Sequence, residues 1–153
     1  MSLTANHEEL KLTLPTPPKP VASYVPCVRT GNLVVVSGQL PSVDGKLLCT
    51  GKVPTAVTLE QAQMCARQCV LNGLAILLAE LGGDESKLVR VVRVGAFVQC
   101  ADDYTAQPQV ANGASDLIVQ LLGDAGRHAR AAVGVNALPL GAPVEIEFTF
   151  EVR

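Results

Sequence analysis

The sequence predicts a single α+β domain with one mixed sheet of about six strands and two helices on one face. Valine-rich strand patterns near both ends and two long stretches of helical apolar spacing predict these elements. Their order is strand, strand, short strand, helix, strand, helix, strand, strand, which suits one layered domain. The length of 153 residues fits one core. We expect an N-terminal arm over 1–21 and the domain over 22–153.

The arm contains Pro15, Pro17, Pro18 and Pro20, so we expect it to be extended and partly irregular rather than helical and to lie over the domain. Residues 24–29 and 33–39 then read as two strands of a hairpin, with a turn at 30–32. The continuous apolar run through Val36 predicts that the second strand is buried on both faces.

Ser37, Gly38 and Gln39 interrupt that apolar run with a hydroxyl, a bare backbone and an amide. A strand end of this composition can serve a ligand, because a glycine allows close approach to the main chain. The alternative is a bulge or an ordinary strand end.

A turn at Asp44-Gly45 and a short strand over 46–49 precede the first helix. Thr58 followed by Gln61 is a capping-box pattern, and apolar residues at helical spacing continue until Gly82 and Gly83. These features predict one long core helix.

Residues 88–100 are rich in β-branched side chains and read as a strand covered on both faces. After Pro108, a second helix is predicted to run to about Gly123, with Asn112 in its first turn. Over 144–153, apolar and polar residues alternate with the period of a strand that has one buried face.

The strand before it places Ala129, Ala131, Val133 and Val135 on one face and Arg130 on the other, together with His128. We predict that Arg130 points away from the core. A guanidinium on a rigid strand beside small residues suits a planar carboxylate, which it can bind through two parallel hydrogen bonds. The alternative is a solvated strand arginine.

The composition also limits the function. Hydrophobic residues make up 48% of the chain, charged residues 17% and aromatic residues 3%. Such an apolar small protein, with valine-rich strands whose second face needs a cover, is predicted to self-associate. A net charge of -2, no run of basic residues and few aromatic side chains argue against binding to nucleic acid.

No apolar run approaches the roughly 20 residues of a membrane helix, and the N-terminus lacks the pattern of a signal peptide. We therefore expect a cytoplasmic protein that does not bind membranes. The five cysteines, which are odd in number and scattered, are expected to be reduced, buried thiols. Cys65 and Cys69, four apart on a helix, could hold a soft metal, but His7 and His128 are the only imidazoles in the sequence, so no metal is expected.

Two blocks resemble the RidA family, also called YjgF, endoribonuclease L-PSP or translation-initiation inhibitors. They are Tyr24 with Ser37-Gly38-Gln39, and Arg130 with Leu138-Pro139 and Glu145-Ile146-Glu147. The resemblance runs in register from about Tyr24 to the end of the chain. The tracts 107–117 and 126–130 are similar to a less characterised branch with chains of about this length.

The resemblance implies a chorismate-mutase-like α+β fold assembled as a homotrimer, with a central barrel of sheets and ligand clefts between subunits. It implies hydrolysis of reactive 2-imino acids and their enamine tautomers to 2-keto acids and ammonia, without a cofactor. In this reading the protein is a hydrolase of the 2-iminobutanoate/2-iminopropanoate deaminase type, and its partners are a small carboxylate and its own copies.

Carried over residue by residue, the resemblance implies that Arg130 binds the substrate carboxylate and Glu145 positions or deprotonates the attacking water. Tyr24, Ser37 and Gly38 would line the cleft, and Asn112 would approach the ligand from its helix. If the last two strands form a hairpin about Leu140-Gly141, Arg130 and Glu145 are about 20 Å apart along it and can meet only across a subunit boundary.

Active relatives often carry a cysteine where this chain has Ala132, which leaves the arginine in place but changes the pocket wall. His128 could be an additional acid or base, or a structural hydrogen-bonded histidine. Two other functions stay open: a non-catalytic module that binds or senses a keto acid, and the ribonuclease of the older family label.

Overall fold

The computed structural model describes residue 6, residues 8–19 and residues 22–153. Within these residues the helices are α1 (Leu59–Glu80) and α2 (Gln107–Leu122). The strands are β1 (Cys27–Thr30), β2 (Leu33–Gln39), β3 (Ser42–Val43), β4 (Lys46–Leu47), β5 (Leu88–Gln99), β6 (Ala129–Val135) and β7 (Val144–Val152).

Five strands form the main sheet in the order β1-β2-β7-β5-β6, and β3 pairs with β4 in a separate hairpin. Only β5 and β6 run parallel, and the other neighbours are antiparallel, so the sheet is mixed as predicted. The helix α1 packs on β2 and β7, whereas α2 packs on β5 and β6. The predicted α+β architecture is confirmed, with five strands in the main sheet rather than about six.

The last two strands, β6 and β7, do not pair with each other as a hairpin. β5 lies between β6 and β7, pairing with β6 in parallel and with β7 in antiparallel. A helical turn at Pro139–Gly141 carries the chain past β5 instead of reversing it tightly. The alternation of side chains in both strands was readable from the sequence, but pairing depends on partners far away in the chain.

The two faces of the sheet differ in burial. One face, toward the helices, is closed: Val34, Val94, Ile146 and Phe148 are among its fully buried residues. The other, which we call the open face, carries Leu33, Val35, Arg93, Val133, Glu145, Glu147, Thr149 and Glu151. Leu33, Val35 and Val133 are 39 to 46% exposed there. The second face of the sheet is therefore uncovered in the single chain, and burial of β2 and β5 on both faces stays a prediction about an assembly of several copies.

The predicted alternation of side chains along β6 is right, but the prediction of which side faces the core is wrong. Ala129, Ala131 and Val133 pair with open-face positions of β5, whereas Arg130 pairs with the buried Val94. Arg130 therefore lies on the helix side of the sheet, at its edge, against α2. The face toward the helices could not be identified from β6 alone, because small residues occupy both faces.

α1 begins and ends where the sequence predicts. The Thr58 hydroxyl accepts a hydrogen bond from the Gln61 amide, and the Gln61 side chain accepts one from the Thr58 amide, which completes the capping box. At the other end, Gly82 and Gly83 adopt positive φ angles of 66° and 81°. α1 is long and apolar enough to cross a membrane, but 67% of its most apolar window is buried inside the fold, as expected of a core helix.

The predicted arm, 1–21, is described only at residues 6 and 8–19. Asn6, Glu8 and Glu9 are helical, which was not predicted, whereas residues 12–19 have no regular structure, in agreement with a partly irregular arm. Asn6 Nδ2 donates to Leu121 O at 2.6 Å, and Leu10, Leu12 and Leu14 pack against the core. This part of the arm therefore lies against the domain.

Candidate functional site

Arg130 is held by the first half of α2. Its Nη1 donates to Asn112 Oδ1 at 2.9 Å and to Ser115 Oγ at 3.1 Å, and its Nη2 contacts Pro108 O at 3.4 Å. Asn112 and Ser115 are one helical turn apart, so their side chains share a face of α2. The structure thus brings together two predicted site residues, Arg130 and Asn112.

These contacts leave one edge of the guanidinium free. Both Nη1 hydrogens and one Nη2 hydrogen point to α2, while Nε and the second Nη2 hydrogen have no acceptor within the described part of the chain. Nε–H and Nη2–H lie side by side on the planar group, in the geometry that binds a carboxylate through two parallel hydrogen bonds. Arg130 is solvent-exposed, so this edge is accessible in the single chain.

His128 contacts Ser115, which in turn contacts Arg130. Its Nε2 is 2.9 Å from Ser115 Oγ, and its Nδ1 is 2.6 Å from Gly126 O. Both ring nitrogens therefore have partners within the chain, as expected if His128 is a structural hydrogen-bonded histidine. We call Arg130, Asn112, Ser115 and His128 the arginine group.

Gly38 and Glu145 are neighbours on β2 and β7. A Cβ built at Gly38 would collide with Glu145 Oε1, so a side chain at this position would displace the carboxylate. The sequence indicated that something approaches the backbone at Gly38, and the structure shows that Glu145 does. Together with Tyr24 and Ser37 they form the second cluster, which we call the glutamate group.

Glu145 is half-buried, and burial raises the pKa of its carboxyl group above the ordinary value, with a smaller contribution from the negative charge of Glu147. Glu147 itself forms an ion pair with Arg93, with 2.9 Å between Nη1 and Oε1, on the open face. A carboxylate whose protonated form is favoured can accept a proton more readily than a fully solvated one. The carboxylate of Glu145 is thus more basic than an ordinary solvent-exposed one.

Ser37 has a structural role within this cluster. Its hydroxyl donates to Val25 O at 2.7 Å, and its amide donates to Pro26 O at 3.0 Å. These bonds fix the segment that follows Tyr24, whose side chain is 46% exposed. The hydroxyl proton is used within the chain, so Ser37 can offer a ligand only the lone pairs of its oxygen.

A cavity of about 420 Å³ opens beside the glutamate group. Tyr24 and Gly38 line one side, and residues 15–19 of the arm line another. Its size falls in the range of small-molecule sites. The remaining lining residues are Pro26, Gln39, Leu40, Ser42, Asp44, Gly45, Leu47, Asn72 and Leu140.

The two groups do not meet within one chain. Val94 pairs with both Arg130 and Phe148, so Arg130 is level with Phe148, three residues from Glu145. This offset is about 10 Å along the strands, and two strand spacings add about 10 Å across them. The residues also project from opposite faces of the sheet. The two positions are thus roughly 14 Å apart on the sheet, compared with about 20 Å along a hairpin, and they still cannot share a pocket within one chain.

Ser115 and the Pro108 carbonyl were not identified from the sequence. Ser115 could have been found, because it lies three residues after Asn112 on a predicted helix. A backbone carbonyl leaves no such signal. Ala132, where active relatives often carry a cysteine, follows Arg130 on the same face of β6 and packs half-buried against the core.

Three of the five cysteines lie near one another in the part of the chain that the structure describes. Cys49 and Cys65 place their sulfurs 3.0 Å apart, and Cys69 is fully buried one turn further along α1. Burial raises the pKa of the Cys65 and Cys69 thiols. Across residues 6, 8–19 and 22–153, no three His, Cys, Asp or Glu side chains are placed to hold an ion.

Comparison with known proteins adds the following. The family model described as "Endoribonuclease L-PSP" matches residues 15–152. Protein TCP17 of Trypanosoma cruzi is 41% identical over 152 residues, covering 99% of this chain and 94% of that protein. A 2-iminobutanoate/2-iminopropanoate deaminase of Dermatophagoides farinae is 30% identical over 136 residues, covering 89% of this chain and 91% of the deaminase.

Among solved structures, the protein Atu1372 of Agrobacterium tumefaciens, described as having unknown function, superposes with a TM-score of 0.90. It is 44% identical in sequence, and the match covers 98% of this chain and 91% of that one. The similarity therefore extends over nearly the whole chain, including the part of the arm that lies against the domain.

Proposed function

Because this chain belongs to the endoribonuclease L-PSP family, the RidA/YjgF proteins, we propose that it hydrolyses small 2-imino acids to 2-keto acids and ammonia. The observation that carries the proposal is the Arg130 guanidinium. Three hydrogen-bond contacts hold it to α2 and leave its Nε–Nη2 edge free to bind a carboxylate. The half-buried Glu145 supports it by supplying a base. The name of the deaminase relative adds a precedent for this chemistry.

In the proposed reaction, Arg130 binds the substrate carboxylate and leaves the imine carbon open to attack. Glu145 takes a proton from water as the water oxygen forms a bond to that carbon, and it passes this proton to the imine nitrogen, giving a neutral carbinolamine. The hydroxyl proton of the carbinolamine then passes to nitrogen through Glu145, the C–N bond breaks as the carbonyl forms, and ammonia leaves. The imine is already electrophilic, so catalysis consists mainly of positioning and general-base assistance. The step needs no cofactor.

We further propose that each site is shared between two copies of the chain, with the arginine group from one and the glutamate group from the other. Two features support sharing: the groups lie on opposite faces of one chain, and the open face exposes Leu33, Val35 and Val133. A homotrimer whose open faces form a central barrel, as the family resemblance implies, would cover these side chains. Tyr24, Ser37, Gly38 and Asn112 would then line a cleft between neighbours.

A non-catalytic module that binds a keto acid is the second candidate. Ala132 favours it, since this chain keeps the arginine but lacks the thiol that active relatives often place beside it. Under this alternative, Arg130 still binds carboxylates, whereas Glu145 has no catalytic function. A ribonuclease is not proposed, since the net charge is -2 and aromatic residues make up 3% of the chain.

The test generates 2-imino acids in situ with an amino-acid oxidase and follows the release of keto acid. We expect the protein to accelerate release, Arg130→Ala to abolish the acceleration, and Glu145→Gln to lower kcat by about 100-fold, as expected for loss of a general base. Gln120→Ala, an exposed position on α2, is the control. No acceleration by the unaltered protein, with 2-oxobutanoate still binding through Arg130, would favour the binding module.

A further inference from the structure

Ser115 and His128 lie directly behind Arg130, and the proposed reaction gives neither of them a role. We propose that they are positioning residues that hold the guanidinium so that its Nε–Nη2 edge faces the substrate carboxylate. The identity of the ligand in this inference rests on the proposed function. The contacts that carry it are those of the arginine group itself.

The hydrogen-bond directions in this group follow from the atoms involved. A carbonyl oxygen can only accept, so the 2.6 Å contact to Gly126 O requires a proton on His128 Nδ1. In the neutral imidazole the other nitrogen, Nε2, is then an acceptor. Its partner at 2.9 Å is the Ser115 hydroxyl, which must therefore donate to it.

Once its proton points to His128, Ser115 presents only lone pairs to Arg130. Nη1 donates to Ser115 Oγ at 3.1 Å and to Asn112 Oδ1 at 2.9 Å, which uses both of its hydrogens. Without the acceptor on His128, the hydroxyl is free to rotate and can turn its proton toward Nη1, where it would repel the donor hydrogen of Arg130. The histidine therefore keeps Ser115 acting as an acceptor for the guanidinium.

Gly126, whose carbonyl accepts the hydrogen bond from His128, is fixed against α2, the helix that carries Ser115. Gly126 is buried, and a Cβ there would lie 2.6 Å from Ile118 O and 3.0 Å from Val119 Cα, so its backbone packs directly on α2. The Gly126 carbonyl and the Ser115 hydroxyl thus hold the imidazole from two points tied to α2. The orientation of Arg130 is then set by the helix, although Arg130 itself is on an edge strand.

The first experiment needs no ligand. NMR of the Arg130 guanidinium nitrogens measures rotation about the Nε–Cζ bond in the full-length protein, and we expect slow rotation. Ser115→Ala and His128→Asn should speed it by about tenfold, as for the loss of one charge-assisted hydrogen bond. His128→Asn keeps the donor to Gly126 O and removes the acceptor for Ser115, whereas His128→Gln retains an acceptor and should resemble the unaltered protein. Gln120→Ala is the control on the same helix.

The second experiment measures binding of 2-oxobutanoate by calorimetry, with KM and kcat for imine hydrolysis. We expect Ser115→Ala and His128→Asn to weaken binding and raise KM by about tenfold, with little change in kcat, since the guanidinium contact is made before chemistry begins.

The outcomes separate this inference from the proposed function. Rotation and affinity that stay unchanged in both Ser115→Ala and His128→Asn would overturn the positioning role, even if the protein hydrolyses imines. Faster rotation in these two variants, in a protein that releases no keto acid from any imine, would support the positioning role and reject the hydrolase.

Discussion

The absence of a side chain at Gly38 makes room for Glu145, since a Cβ at position 38 would occupy the space of the Glu145 carboxylate. The clash involves the end of a flexible side chain, which can move away, rather than backbone. A substitution at Gly38 should therefore affect the site more than the fold.

We expect Gly38→Ala to lower kcat for imine hydrolysis by about tenfold or more, because a displacement of the base by about 1 Å is sufficient for such a loss. The free energy of unfolding should change by less than about 1 kcal/mol. Steady-state kinetics and urea denaturation measure the two effects. Full activity in this variant would show that Glu145 need not lie against position 38.

Glu145 also predicts the pH dependence of the reaction. A general base works only when deprotonated, so kcat/KM should rise with pH through the raised pKa of Glu145. Glu147→Gln removes the nearby negative charge that contributes to the raised pKa, so the acid limb of the profile should move to lower pH. Glu151→Gln, on the same strand face but not among the causes of the shift, is the control. An acid limb that does not move would exclude Glu145 as the titrating group.

At the level of elements, α1 is the helix whose start is defined best by the sequence. Thr58 and Gln61 exchange side-chain and backbone hydrogen bonds of 2.9 and 3.1 Å at its N-terminus. These bonds satisfy amide groups that a helix otherwise leaves without partners.

Thr58→Ala should reduce the free energy of unfolding by about 1 kcal/mol, the usual effect of removing an N-cap hydroxyl. Urea denaturation followed by circular dichroism measures this change. Thr55→Ala is a matched control, since its hydroxyl makes only a 3.4 Å contact to Lys52 O. Equal losses in the two variants would mean that the cap contributes nothing specific.

At the level of the whole molecule, the open face bears on whether a single chain can form the proposed site or needs a second copy. Its exposed valines and leucine lie on a flat sheet surface, and an apolar surface of this kind is typically covered by a partner. The two halves of the proposed site, on opposite faces of one chain, also require neighbouring copies.

Val35→Lys should dissociate the assembly and abolish imine hydrolysis while leaving the circular dichroism spectrum unchanged, because Val35 is 45% exposed in the single chain and tolerates a charge there. Sedimentation velocity measures the mass. Val119→Lys, at a 41% exposed valine on α2, is the matched control and should retain both mass and activity. A Val35→Lys protein that keeps its mass and its activity would contradict assembly through the open face.

The sequence predicted the local features well because their causes are local. Thr58 and the paired glycines at 82 and 83 mark the ends of α1 through capping and backbone conformation, and the alternation in β7 defines its two faces. Arg130 and Gly38 were recognisable as candidates for the same reason, whereas Glu145 was recognised only through the family resemblance.

The tertiary structure decided which strands pair and what each candidate touches. β5 lies between β6 and β7, so Arg130 turns to the helix side, where Asn112, Ser115 and His128 orient it. Strand pairing and side-chain contacts depend on residues distant in the chain, whose combined packing no local pattern encodes. The sequence by itself thus determined the elements and the chemistry available to them, and only the folded chain determined how these groups are arranged.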